Sequence, residues 1–220
     1  YSEIFPASMV PHAPYSVSDD LWQLITPFYK DKVASIHNQE TAFEDELFLQ
    51  NTGDLVRMYE MMKIDHSFYK PTGKTSLQTY FNKLQSAGQV LLVHNTYTKE
   101  EDIKFIKKAG DNNISFCLCI NANRYIEDSI PPINLLREHG CNIVLGTDSL
   151  ASNRGLSILN EIKTIQENFP SVALEEMLKW ATFNGAKALQ MDDKLGSLEK
   201  GKHPGVILLE PNLREVRRLL

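Results

Sequence analysis

Histidine, glutamate and aspartate recur just beyond short apolar runs in this chain. The central case is Val33-Ala-Ser-Ile-His-Asn-Gln-Glu-Thr41. It reads as a buried parallel strand whose carboxyl end opens into a polar site. His37 offers an imidazole that can bind a metal. Glu40, three residues on, offers a carboxylate that can move a proton. Gln89-Val-Leu-Leu-Val-His-Asn-Thr-Tyr97 repeats the design, with His94 as the first polar residue after Val90 to Val93. Ser115 to Ile120 opens into Asn121, Asn123 and Arg124, and Ile143 to Leu145 is followed by Gly146 and Asp148. Each residue alone reads equally well as an ordinary strand-to-loop junction. His, Glu, His and Asp at successive strand ends together suit a divalent metal with an activated water.

The elements that must hold these groups alternate. Pro11 and Pro14 forbid a regular helix around His12, which lies on a loop between a strand end and a helix. Ser18, followed by Asp19 and Asp20, starts that helix. A helical acidic stretch follows Glu40, from Thr41 to Phe48, and Ser76 to Leu84 is amphipathic. Thr98 is the expected N-cap of a helix over Lys99 to Lys108, with Glu101 closing a capping box and Gly110 stopping it. Pro131 and Pro132 lead another helix to Glu138. Further helices are expected at Ser157 to Asn168 and Leu174 to Gln190. This rhythm predicts βα units and a parallel sheet from about residue 8 to residue 190. In a barrel the loops after the strands share one face, whereas an open sheet gathers them only near a switch point. No Gly-x-Gly-x-x-Gly follows any strand, which weighs against a dinucleotide fold. Val206 to Leu209, after Gly- and Pro-rich punctuation, breaks the rhythm and is expected in a second small β unit over residues 191–220.

The 220 residues are enough for one large or two small domains, and 42% are hydrophobic. A net charge of -5 gives no basic stripe, so nucleic acid is not an expected partner. No apolar run approaches the ~18 residues of a membrane span. Three cysteines in no zinc-finger spacing, with no signal peptide, read as a reducing cytoplasm. Cys117 reads as core, and Cys119 as core or site wall. His66, His139 and His203 read as structural or surface residues, and Lys74 as a solvated lysine. The chain opens at Tyr1 without a methionine and reads as the interior of something longer.

The sequence resembles the amidohydrolase superfamily, and most of all the branch of S-adenosylhomocysteine and methylthioadenosine deaminases, guanine and cytosine deaminases and triazine hydrolases. The residues that carry the resemblance are Val10-Pro-His-Ala-Pro-Tyr15, Ile36-His-Asn-Gln-Glu-Thr41, Leu92-Val-His-Asn95, Leu145-Gly-Thr-Asp-Ser149 with Ala151-Ser-Asn153, and Asn184-Gly-Ala-Lys-Ala-Leu189. It implies an α/β fold of the (β/α)8 TIM type. Residues 1–190 would hold its carboxyl-terminal part, strands four to eight, and 191–220 a piece of a small composite β-sandwich.

The same resemblance implies roles. His37 would be a metal ligand from the fifth strand, and Asp148, from the eighth, a ligand or general base. His94 would hydrogen-bond the water or the tetrahedral centre. Glu40 would shuttle a proton, and His12, Asn121 and Asn123 would contact substrate. The implied cofactor is one divalent metal, zinc or iron. The implied partner is a small heterocyclic substrate; a homodimer is left open. The implied reaction is hydrolysis of a non-peptide carbon-nitrogen bond, most directly deamination of an aminated purine- or pyrimidine-like compound. Release of another leaving group, chlorohydrolase-like, and a non-catalytic scaffold that keeps the fold are the alternatives. The family's His-x-His pair, on its first strand, occurs nowhere in this chain, so those ligands are expected upstream and the chain alone is expected to be inactive. Cys119-Ile-Asn-Ala-Asn123 stands where related enzymes often carry Cys-Pro-x-Ser-Asn, which puts that loop's substrate contacts in question.

Overall fold

The computed structural model describes residues 7–67, 69–110, 113–210, 213 and 216–219. Four strands, β1 (Val33–Asn38), β2 (Gln89–His94), β3 (Ile114–Leu118) and β4 (Ile143–Leu145), form one sheet in the order β1-β2-β3-β4. All three pairings are parallel. Parallel neighbours need crossovers, and helices supply them. They are α2 (Ala42–Gln50), α3 (Asp54–Met62) and α4 (Ser76–Tyr80) before β2, then α5 (Glu100–Ala109) before β3, and α6 (Ile120–Glu127) and α7 (Ile133–Glu138) before β4. Helix α1 (Asp19–Ile25) precedes β1, while α8 (Ile158–Asn168), α9 (Leu174–Lys179) and α10 (Gly185–Ala188) follow β4. The strand order never reverses, so the sheet has no switch point. An unreversed parallel order with helices between the strands is consistent with an arc of a TIM-type barrel. The strand expected ahead of His12, from about residue 8, does not appear among the described residues: residues 7–11 are irregular, and Pro11 has no N–H to give to a ladder.

The register explains why the sheet holds. Ile36 pairs with Leu92, Leu92 with Phe116, and Phe116 with Ile143. All four are buried and belong to the main core, with Ile103 and Ile106 of α5, Leu136 of α7 and Ile162 and Ile165 of α8. The next row, His37, Val93, Cys117 and Val144, points to the opposite face. Cys117, Cys119, Ala122, Val144 and Ala188 form a second, smaller apolar cluster there. β3 is buried along its whole length, as a strand covered on both faces must be.

Local signals hold in most places. Ser18 caps α1 through its side chain, accepting the amide of Leu21, and Gly110 ends α5. Three expectations need correction. The N-cap of α5 is Lys99, whose amide is accepted by Asp102 at 3.2 Å. Thr98 donates its hydroxyl to Gln39 instead, at 2.8 Å. The run Ser115 to Ile120 is strand only to Leu118, because Ile120 opens α6 and buries its side chain in the main core. Asn121 and Asn123 therefore lie in the first turn of a helix, not on an open loop. The helix from Leu174 is interrupted by a π segment over Trp180–Asn184, and Asn184 there donates its side-chain amide to the carbonyl of Ile143. Ile207–Leu209 (β5) and Val216–Arg218 (β6) pair antiparallel as a separate two-stranded sheet. No helix among the described residues is long and apolar enough to cross a membrane.

The shared row makes a graded prediction. Leu92→Ala, at a fully buried position in the middle of the row, should cost about 2–5 kcal/mol of stability. Ile207→Thr on the exposed hairpin should stay within about 0.5 kcal/mol. Urea unfolding of the two variants measures both.

Candidate metal centre

His37 stands near the carboxyl end of β1, on the face opposite the helices. His94 would not join it if β2 simply continued. Val90 and Leu92 both face the helices, and strict alternation would send His94 the same way. Its backbone prevents that. His94 and Asn95 have φ of 78° and 62°, a left-handed conformation that non-glycine residues rarely adopt. The turn brings the His94 ring to 4.9 Å from that of His37, edge to face. Asp148, three residues beyond β4, is also left-handed, with φ 57°. One ligand atom from each of His37, His94 and Asp148 lies within 4.8 Å of the other two. Glu40 reaches the same point, its Oε1 3.5 Å from His94 Nε2. His12 flanks the group with its ring 4.8 Å from His37; its carbonyl accepts the His37 amide at 3.0 Å.

Burial sets the protonation states. It lowers His37, and the neighbouring His94 adds to that; Glu40 and Asp148 oppose it. Burial also lowers His94, against a hydrogen bond to Asn123 that raises it. Two neutral imidazoles are two available lone pairs. Glu40 moves the other way, its carboxyl pushed up by burial and partly restored by His37. A carboxyl raised in this way holds a proton more readily than an exposed one, as a proton carrier must.

Asn123 determines which lone pair His94 presents. Its Nδ2 donates to the His94 carbonyl at 3.2 Å, which turns Oδ1 toward the ring. That oxygen lies 2.7 Å from His94 Nδ1, so Nδ1 carries the hydrogen and Nε2 the lone pair. Nε2 is buried and has no hydrogen-bond partner among the described residues. A buried imidazole nitrogen left open beside a second histidine and a carboxylate is what a divalent cation would complete. The donor set therefore fits a metal.

Asn121 is also occupied within the protein. Its backbone and side-chain amides both donate to Glu161, at 3.0 Å each, and its carbonyl accepts Thr164. Through these bonds Asn121 and Asn123 both brace the loops around the site. Glu161, fully buried, also takes Asn153, which donates to the Thr147 carbonyl at 2.7 Å. Asp148 itself accepts the hydroxyl of Ser152. Gly146 lets this loop lie close, because a Cβ there would meet Cys117 Sγ at 2.8 Å and Cys119 Sγ at 3.1 Å. The remaining histidines lie apart. His66 stacks on Tyr59, His139 pairs with Glu100 at 3.3 Å, and His203 is exposed.

Comparison with known proteins shows the family. The amidohydrolase family model matches residues 60–218. A 5-methylthioadenosine/S-adenosylhomocysteine deaminase of Teredinibacter turnerae is 29% identical over 209 residues, covering 92% of this chain and 42% of that protein. The structure of Helicobacter pylori aminofutalosine deaminase in complex with methylthio-coformycin superposes with a TM-score of 0.76 at 27% identity, over 90% of this chain and 48% of that one. A zinc-bound adenosine deaminase from Xanthomonas campestris shares the fold, with a TM-score of 0.64 at 22% identity, over 91% of this chain and 42% of that one. The chain belongs to the amidohydrolase family, and it spans less than half the length of the relatives it matches.

In metal-free protein, nitrogen chemical shifts should show His94 as the Nδ1–H tautomer at neutral pH. Asn123→Leu should remove that preference and weaken zinc binding by about 10–100-fold. An unchanged tautomer ratio in the variant would mean that the ring is held by something other than Asn123.

Proposed function

We propose that the protein carrying this chain is a metal-dependent deaminase of adenosine-type nucleosides. One observation carries the reading: His37, His94 and Asp148 bring ligand atoms within 4.8 Å of one another, beside the half-buried carboxylate of Glu40. Zinc or iron held by His37 and Asp148, with His94 beside them, would supply the Lewis acidity that makes water a nucleophile near neutral pH. Further ligands would come from a His-x-His outside this chain.

The chain's own residues would then divide the work. Glu40 takes one proton from the attacking water and gives it to the purine ring nitrogen, then takes the proton of the added hydroxyl and gives it to the departing amine. Burial raises the Glu40 carboxyl, which favours the protonated form it must pass through. His94, neutral and fixed by Asn123, orients the reacting oxygen. Asp148 balances the positive charge of the metal and steers the water. His12, exposed at the rim, lines the pocket for the substrate. Water attacks the carbon bearing the amino group, the carbon-nitrogen bond breaks, and ammonia leaves. The relatives named above are deaminases, which favours an amine over a halide as leaving group. A grouped set of metal ligands favours catalysis over a scaffold.

On this reading β1 to β4 are strands five to eight of a complete barrel. The β5–β6 hairpin, within residues 191–220, is a piece of a small β-sandwich. A cytoplasmic location suits the three free cysteines.

The test is a pair of variants in the complete, metal-loaded protein, assayed on adenosine, 5′-methylthioadenosine and related aminopurines. Glu40→Gln should lower kcat by about 10²–10⁴-fold with metal content unchanged. Asp148→Asn should lose metal along with rate. Near-normal turnover of the Glu40 variant would remove Glu40 from the chemistry.

A further inference from the structure

Behind the site lies a buried acidic group that the proposed chemistry does not use. Glu44, in the first turn of α2, is fully buried. Its Oε1 accepts the amide of Gln39 at 2.9 Å, and its Oε2 accepts the amide of Glu40 at 3.3 Å. The hydroxyl of Ser76 donates to Oε1 as well. One carboxylate thus grips two consecutive backbone amides, those of Glu40 and the residue before it.

The grip acts where the chain is hardest to hold. Gln39 is left-handed, with φ 46°, a conformation that persists only when its surroundings impose it. Without that turn, β1 would run on past Asn38 and carry Glu40 away from His94. The Gln39 side chain is anchored too. It donates to Asp102 at 2.9 Å and accepts Thr98 at 2.8 Å. Asp45, next to Glu44, accepts the Ser76 amide at 2.9 Å and pairs with Lys99 at 3.2 Å. Helices α2, α4 and α5 therefore converge on the Gln39–Glu40 turn, and Glu44 is the group that holds the amides of both residues. The next side chain is Glu40.

We infer that Glu44 is a positioning residue for Glu40: by accepting the amides of Gln39 and Glu40 it fixes the left-handed turn that aims the Glu40 carboxylate at His94 Nε2. This rests on the reading of Glu40 as the proton carrier, and the two can fail separately. A misplacement of about 1 Å at a reacting group can cost on the order of 100-fold in rate. A packing defect in α2 would instead lower stability and leave the surviving folded molecules fully active.

The experiment uses the complete, metal-loaded protein with Glu44→Ala, Glu44→Gln, Glu40→Gln and the double variant Glu40→Gln/Glu44→Ala. Adenosine and 5′-methylthioadenosine are the probes. Glu44→Ala should lower kcat by about 10–100-fold with KM and metal content unchanged. Glu44→Gln keeps one acceptor and should fall between Ala and wild type. In the Glu40→Gln background, Glu44→Ala should cost nothing more, because the group it positions is gone. A crystal structure of Glu44→Ala, or of Glu44→Gln if Ala does not fold, should show the Glu40 carboxylate withdrawn from His94 Nε2. Wild-type kcat with Glu40 in place overturns the inference, as does an equal further loss in the Glu40→Gln background. If Glu40→Gln itself is fully active, the proton-carrier reading falls. The position of Glu40 in the Glu44 variant's structure then still decides whether Glu44 sets that turn.

Discussion

A parallel sheet that is apolar on both faces must end somewhere, and the ends of its strands are where backbone amides and polar side chains lie inside the protein without a neighbouring strand to satisfy them. Leaving one such group unpaired costs about 1–3 kcal/mol. The structure meets this constraint with a web of buried side chains. Asn38 donates to Asn95 at 3.0 Å and accepts Tyr80 at 2.7 Å. Asn95 donates in turn to the carbonyls of Leu92 and Cys117, tying β1, β2 and β3 together at one level. Gln39 extends the web to α5 and Glu44 extends it to α4. Residues with positive φ, Gln39, His94, Asn95 and Asp148, sit at the same end of the sheet. Their strain is tolerable because the web over-determines their conformations.

This division between reacting groups and supports governs what could be read from sequence. His37, Glu40, His94 and Asp148 stand out because each follows a run of apolar residues closely, and a strand's period is short enough for the eye to locate its end. The four strands were legible for the same reason. The supports were not. Glu44 and Asp45 lie in an acidic helix turn, where acids are the norm for a helix N-terminus, and nothing local marks them as buried. Asp102 looks like one of three acids opening α5. Asn121 and Asn123 follow an apolar run as the histidines do, and the start of α6 at Ile120 is hidden inside that run. Burial of a polar side chain depends on what the rest of the chain folds over it, and that information is not local.

Thr98 shows the same competition at a single residue. As a threonine ahead of an acidic turn it has the composition of a cap. Its hydroxyl can serve only one acceptor, and Gln39 is buried with an acceptor to fill. Leaving the helix end to Lys99 and Asp102 exposes little, since a helix terminus at the surface can be hydrated. Leaving Gln39 unpaired would strand a buried amide. The tertiary demand is the larger, so the cap moves by one residue.

Within a web so fully paired, the exceptions carry information. Among the described residues, the buried side-chain atoms without a partner are Tyr29 Oη, Asn51 Oδ1, Thr96 Oγ1 and His94 Nε2. Three of these are hydroxyl or amide oxygens standing singly, and none belongs to the ligand group. His94 Nε2 is the one held open by design of its surroundings. Asn123 accepts from the other ring nitrogen and donates to the His94 backbone carbonyl. Positive φ turns the ring away from the helix face, and Glu40 stops 3.5 Å short of it. A structural histidine in the core is satisfied at both nitrogens or left solvated at one. Here burial, orientation and tautomer are each fixed, and together they direct one lone pair at the point where His37 and Asp148 also converge. A buried lone pair so directed is unfavourable until it is engaged by what binds beside His37 and Asp148, so the stability of the site is linked to what it binds.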